Sequence, residues 1–308
     1  MMTASPSLGS LQSVSAKPAR GRCQLFPKLI LAQAEKNQAR LRELDRALRA
    51  FYESANSAGY WETSHELNRA WTEATHPAHW LLKRFIEPTE TIVDFGCGSA
   101  HPILNLGHPE RYTGVDYSAA QNRLNQTAFP RARFLSENIC ETSLSSDSYD
   151  WAISLFSLEH CVWPPRLLDE MLRVVRPGGR LAIICPQMRP QVTNAMWFGL
   201  SARQSFWRKL DDGALLDAVL HGFGLKILAP IWIRLIQRYR GNFLIIERPR
   251  CLFIEPREWT PDTDAVYWAD QGDIEEFLQS RGCRVLDDAP WRGGAAGGVV
   301  CCLAQKQS

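Results

Sequence analysis

Several absences narrow the function of this chain. Among its 308 residues there is no Cys-x-x-Cys pair, and the nine cysteines form no even framework. That spacing argues against a disulfide scaffold or a zinc site and fits a reduced, cytoplasmic protein. The net charge is only +2, so no nucleic-acid partner is expected. No apolar run approaches the roughly 18 residues needed to cross a bilayer. No apolar stretch follows a basic start, so a secretory signal is not expected. The first 34 residues contain neither Asp nor Glu but carry Lys17, Arg20, Arg22, Lys28 and several serines. Residues 1–34 are expected to be disordered, with a basic, acid-poor transit-like leader as the competing reading.

What remains is ample core material, since 45% of the residues are hydrophobic. Leu41, Leu44, Leu48 and Tyr52 recur at helical spacing, and Trp61, Trp71 and Trp80 follow among further apolar positions. Residues 35–87 therefore read as a helical extension. Beyond it, short strands alternate with helices. The strand candidates are 91–95, 111–116, 132–136, 149–155, 181–185, 283–287 and 298–304. The clearest helix is 165–176, with Pro164 and Pro165 at its start and Pro177-Gly178-Gly179 at its end. Such alternation predicts an α/β fold with a Rossmann-like, mainly parallel seven-stranded sheet and helices on both faces. The domain covers 88–306. The alternation breaks between about 187 and 269, which predicts a helical lid inserted after the fifth strand.

The sharpest motif is Ile92-Val93-Asp94-Phe95-Gly96-Cys97-Gly98-Ser99-Ala100, a hydrophobic strand running into a Gly-x-Gly turn. Glycine there allows a tight turn and close approach of a ligand to the backbone, at the strand ends where open α/β sheets bind ligands. About twenty residues on, Gly114-Val115-Asp116 ends the next strand with a carboxylate able to accept from both hydroxyls of a ribose. A dinucleotide reader would carry a third glycine where this chain has His101, and no phosphate-binding Lys-Ser/Thr follows.

With those residues in view, the chain resembles the class I S-adenosylmethionine-dependent methyltransferases, in the broad group that includes the ubiquinone/menaquinone-biosynthesis type. The likeness covers 88–186 closely and 270–306 loosely. It implies S-adenosyl-L-methionine as cofactor. Asp94, Gly96, Cys97 and Gly98 would hold its methionine part, and Ala100 fills the family's third small position. Asp116 would hold the ribose, with Tyr117 packing on the adenine. Asn138 and Ile139 stand where the family has an acid and an apolar residue beside the adenine, and the Asn138 side-chain oxygen is expected to reach the adenine amino group. Ser154 and Leu155, at the end of the fourth strand of the domain, complete the cofactor set. Leu158-Glu159-His160 and Val174-Val175-Arg176-Pro177-Gly178-Gly179 also match the family pattern.

Methyl transfer from a sulfonium needs little beyond positioning, except that a hydroxyl acceptor needs a base. His160, beside Glu159, is the candidate; the competing reading has both residues only cap or orient the next segment. Some quinone-directed relatives hold a metal here with two acids and a histidine, but the first acid would fall at Phe156, so no metal is expected. His101 is placed to donate to the cofactor carboxylate, or is an ordinary core or surface histidine. Cys97 is read as a small filler, and Cys301 and Cys302 as core residues on alternate faces.

In the insertion, Ile231 to Arg240 is amphipathic at helical spacing, and Lys226 to Arg250 holds six basic residues against the single acid Glu247. A lid over the site competes with an interfacial helix at a membrane, which would give peripheral membrane contact through residues 214–240. A basic groove for an anionic substrate is a third option. Trp259 to Trp268 resembles a stretch of bacterial relatives loosely associated with cell-surface glycan pathways. The expected function is methyl transfer from S-adenosylmethionine to a small or lipid-linked acceptor, with oxygen as the expected atom and carbon and nitrogen open. The alternative is a non-catalytic, methyltransferase-like binding or membrane-associated subunit.

Overall fold

The computed structural model describes residues 29–55, 76–187, 243–252, 264–286 and 299–307, with residues 207, 210, 215, 219, 223, 231 and 235. Trp61, Trp71, Trp232 and residues 253–263 lie outside the described residues, as do positions 1–28.

Seven strands form one sheet: β2 (Ile92–Phe95), β3 (Tyr112–Asp116), β4 (Arg133–Ser136), β5 (Tyr149–Leu155), β6 (Val175–Pro186), β8 (Cys283–Leu286) and β9 (Val299–Lys306). Their spatial order is β4-β3-β2-β5-β6-β9-β8. All neighbours run parallel except β9, which is antiparallel to both β6 and β8. This is the expected Rossmann-like sheet. The order reverses between β2 and β5, so their carboxyl ends open a crevice there.

Each strand feeds two cores because alternate side chains leave opposite faces. Val93, Ala152, Leu181, Ile183 and Cys302 join one core, while Ile92, Trp151, Ile153, Ala182, Ile184 and Cys301 join the other. The first core is covered by α1 (Gln38–Ala55), α5 (Pro164–Val174) and α6 (Gln271–Ser280). The second is covered by α2 (Pro77–Phe85) and α3 (Pro102–Leu106). Local chemistry starts these helices. Pro164 and Pro165 begin α5, where a missing N–H costs nothing. Ser118 caps α4 (Ala119–Ala128) by accepting from Gln121 N–H.

Two expectations need correction. Residues 29–31, expected to be disordered, form β1 (Leu29–Leu31). The insertion is not wholly helical. It contains β7 (Leu244–Ile246), which pairs antiparallel with β1, and a buried extended return over residues 264–269. Leu29, Ile30 and Leu31 bring the apolar side chains that a second strand needs to cover β7, which is why pairing continues upstream of the expected boundary. Residues 207, 210, 215, 219, 223, 231 and 235 are helical.

Candidate functional site

The glycine turn leaves β2 and folds back on β3: Gly96 N–H and Cys97 N–H both donate to the Val115 carbonyl, at 2.8 and 3.1 Å. Gly96 has φ +78°, and a Cβ there would fall 2.5 Å from Ser157 Cβ, so only glycine fits. The neighbouring strand makes the same concession. A Cβ on Gly114 would meet Cys97 Sγ at 2.7 Å. Cys97 therefore fills the gap beside Gly114. Burial, with the charges of Asp116 and Asp94 adding, pushes its thiol well up, which keeps it protonated and unreactive.

Asp116 is fixed from both sides. Oδ2 accepts from Gly98 N–H at 3.0 Å and Oδ1 from Ser118 N–H at 2.9 Å. Burial raises its pKa, and these two N–H groups oppose the rise. Asn122 holds the end of β3 by donating to the Asp116 and Leu135 carbonyls at 3.2 and 2.9 Å. Asn125 donates to the Gly98 carbonyl at 2.6 Å.

Asp94 is buried and half-satisfied. Its Oδ2 accepts from the Tyr112 hydroxyl at 2.6 Å, while Oδ1 has no hydrogen-bond partner. Burial pushes its pKa up to about 7, with Asp116 adding and Tyr112 opposing. A buried carboxylate with a bare oxygen is costly and invites a cationic partner.

Asn138 Oδ1 accepts from Cys140 N–H at 2.9 Å, closing a turn. The side-chain oxygen expected to reach an adenine is thus already engaged in shaping its own loop. Ile139 is buried beneath it. Tyr117 is covered by the N-terminal extension: Arg49 Nη2 donates to its hydroxyl at 3.0 Å, and the guanidinium lies 4.5 Å from the ring centroid. Arg49 in turn pairs with Asp45 at 3.0 Å. Burial raises the Tyr117 hydroxyl pKa.

Ser154 and Leu155 are buried inside β5. The Ser154 hydroxyl pairs with the Ser157 hydroxyl at 2.8 Å, and Ser157 donates to the Phe95 carbonyl at 2.5 Å. These serines brace the glycine turn from below. Sequence reasoning missed Ser157, and its small polar side chain directly after β5 was the available signal.

The chain leaves β5 through Phe156, whose φ of +55° is strained for a residue with a side chain. Its ring packs 5.6 Å from His76. The next 3-10 turn, Leu158–His160, carries the candidate catalytic pair. Glu159 is fully buried and the His160 side chain is 21% exposed. His160 Nε2 lies 3.8 Å from Glu159 Oε1, and its Nδ1 lies 3.3 Å from Asp264 Oδ2. That same Asp264 oxygen accepts from the Tyr52 hydroxyl at 2.6 Å. Neither Asp264 nor Tyr52 was read as a site residue. Tyr52 showed only as a core position of a helix, and Asp264 as part of an aromatic-rich stretch. The Glu159 carbonyl accepts from Val266 and Tyr267 N–H at 2.7 and 2.8 Å, which ties the turn to the return segment. His101 precedes α3 with Nδ1 2.6 Å from the Ser99 hydroxyl. Among the described residues no group of three or more His, Cys, Asp and Glu is arranged to hold a metal ion.

Six large apolar side chains of the insertion are exposed: Trp207, Leu215, Val219, Phe223, Ile231 and Leu235. No helix among the described residues is long and apolar enough to cross a membrane.

Residues 93–183, the strands and turns just described, match the Methyltransferase domain family. The chain is 28% identical over 171 residues to an O-methyltransferase of Aspergillus nomiae, covering 50% of this chain and 72% of that protein. It is 27% identical over 167 residues to the trans-aconitate 2-methyltransferase of Variovorax paradoxus, covering 51% of this chain and 63% of that protein. This chain thus spans less than two thirds of the second relative's length. Among solved structures, the 1,6-didemethyltoxoflavin-N1-methyltransferase of Burkholderia thailandensis, with 1,6-didemethyltoxoflavin and S-adenosylhomocysteine bound, superposes with a TM-score of 0.50 at 16% identity. That match covers 87% of this chain and 90% of the other, and it shows a shared fold.

Proposed function

We propose that this chain is a class I S-adenosylmethionine-dependent methyltransferase that transfers the cofactor's methyl group to an oxygen of a small or lipid-linked acceptor, with His160 as base. The observation that carries this reading is the buried carboxylate pair at the ends of β2 and β3. Asp94 Oδ1 is bare and buried, which suits the ammonium of a bound amino acid moiety. Each Asp116 oxygen accepts from one backbone N–H and keeps room for a further donor, which suits the two hydroxyls of a ribose. Gly96, Cys97 and Gly98 allow close approach of the methionine part. Tyr117, Asn138 and Ile139 would hold the adenine.

The cofactor supplies an activated methyl on a sulfonium, so the protein's share is orientation and one proton. His160 takes the proton of an acceptor hydroxyl as that oxygen attacks. The Glu159 carboxylate, 3.8 Å from Nε2, is beyond hydrogen-bond length, and its charge favours the imidazolium that forms. Oxygen as acceptor atom is also supported by the naming of the Aspergillus relative as an O-methyltransferase.

A lipid-linked acceptor and peripheral membrane contact through residues 214–240, on the cytoplasmic side, are supported by the exposed apolar side chains. Leu215, Val219 and Phe223 follow one another at four-residue spacing, as do Ile231 and Leu235. The excess of Lys and Arg between Lys226 and Arg250 suits anionic head groups.

The test is transfer of a labelled methyl group from S-adenosylmethionine to lipid extracts and hydroxylated small molecules. The label is expected in an ether or ester. Label on nitrogen or carbon would overturn the oxygen assignment, and absence of both transfer and cofactor binding would favour the non-catalytic reading. His160→Ala is expected to slow transfer by roughly 10²-fold or more while S-adenosylhomocysteine affinity holds; undiminished transfer would remove His160 as base. Flotation with anionic liposomes is expected for the parent chain and lost in Phe223→Glu/Leu235→Glu. A parent chain that stays at the bottom of the gradient retires the membrane contact.

A further inference from the structure

We infer that Asp264 is the positioning residue for His160, that Tyr52 holds Asp264 in place, and that the acceptor half of the site is completed by two segments lying outside residues 93–183. This deepens the proposal above and rests on His160 being the base.

Asp264 is 1% exposed, and a carboxylate so placed needs hydrogen bonds or a cation to compensate its lost hydration. Tyr52 of α1 donates to Oδ2 at 2.6 Å, and His160 Nδ1 stands 3.3 Å from the same atom. The imidazole thus has a carboxylate near each nitrogen: Asp264 at 3.3 Å from Nδ1, Glu159 at 3.8 Å from Nε2. A neutral ring carries one proton. The nearer carboxylate favours it on Nδ1, which leaves Nε2 unprotonated and so able to take the proton of an acceptor hydroxyl. On the opposite tautomer the Nδ1 lone pair would face the nearer of the two buried carboxylates, at 3.3 rather than 3.8 Å.

The backbone fixes the spacing that this requires. Two residues past Asp264, Val266 N–H donates to the Glu159 carbonyl, and Tyr267 N–H joins it. On its other side the same segment is held by β7, through Ile246 N–H to the Val266 carbonyl at 2.7 Å and Trp268 N–H to the Leu244 carbonyl at 2.8 Å. Residues 264–269 are all buried, so the segment acts as a strap between the catalytic turn and β7. Asp264 and His160 are carried by backbones bonded directly to each other. Among the described residues the ionisable groups placed by distance against His160 are Glu159 and Asp264, with Tyr52 acting through Asp264.

The test reads the His160 tautomer in the full chain labelled with ¹⁵N at its seven histidines, with His160→Gln assigning the signal. In mildly alkaline buffer the wild-type ring is expected to show a protonated Nδ1 and a bare Nε2. Asp264→Ala is expected to move the proton largely to Nε2, and Tyr52→Phe to do so in part, both with S-adenosylhomocysteine affinity retained. A wild-type ring protonated at Nε2, or a folded Asp264→Ala chain with an unchanged tautomer, overturns the inference. The wild-type readout does not depend on Asp264→Ala, so poor folding of that variant leaves the inference open to refutation. Undiminished turnover in His160→Ala would sink the base assignment without moving the wild-type tautomer, so the two readings fail separately.

Discussion

Asp94 and Asp116 stand at the ends of adjacent strands, within one short stretch of chain, and are fixed by their own neighbourhood. Tyr112 on β3 holds Asp94, and the N–H groups of Gly98 and Ser118 hold Asp116. His160 is placed differently. It rides on a turn after β5 and meets Asp264, which is itself tethered to Tyr52 from 212 positions away. The cofactor half of the site is therefore local, while the acceptor half is assembled by long-range contacts. A binding site common to a family can be built from one strand-turn-strand unit. A site for a particular acceptor can be reshaped by segments outside that unit without disturbing it.

Substitutions can break this contrast in graded steps. The largest effect is expected for Gly96→Val. Its backbone sits at φ +78° and its side chain would strike Ser157, at a cost on the order of 3 kcal/mol or more. Thermal denaturation should show a lower midpoint, and calorimetry should show no S-adenosylhomocysteine binding. Asp116→Ala comes next. Losing two charge-assisted hydrogen bonds to ribose should weaken calorimetric affinity by about 2–4 kcal/mol; an unchanged Kd would refute the ribose assignment.

Asp94 sharpens the contrast through pH. With its pKa near 7 in the free protein, binding an ammonium beside Oδ1 must expel a proton. Cofactor affinity should be level above pH 7 and fall up to about tenfold per pH unit below it. Asp94→Asn should flatten that profile and lower its plateau. The same raised pKa makes the folded free protein bind more protons than the unfolded chain between about pH 4 and 7, so its stability should fall as pH rises through that window. Urea titrations of the free protein across this range would read the slope. Arg49→Met is expected to have the smallest effect, about 0.5–1 kcal/mol on S-adenosylhomocysteine affinity, because it acts only through Tyr117, losing the stack on its ring and the hydrogen bond to its hydroxyl.

The same division decides how much was legible beforehand. The seven strands of the sheet, α5, the glycine turn and Asp116 follow from hydrophobic period, proline and glycine placement, and spacing, which act over a few residues. Leu41, Leu44 and Leu48 do bury one face of α1. Strands β1 and β7 escaped because each is three residues long and has meaning only against the other. The return segment falls within the stretch expected to be a helical lid, yet its backbone bonds to β7 and to Glu159 decide where Asp264 lies. Ser154 stands at a position that the family resemblance marks, but its hydroxyl pairs with Ser157, which strand period alone does not tell. Asn138 was identified by position, while its bond to Cys140 depends on the local turn.

The sheet, the glycine turn at Gly96 and the two carboxylates are legible from local pattern, because alternation, φ preference and strand-end position are properties of a few neighbouring residues. The groups that surround His160 come together only in the folded chain. Burial of Asp264 beside Tyr52 and His160 depends on bringing together α1, the turn after β5 and residues 264–269, and no local rule fixes three segments that far apart along the chain.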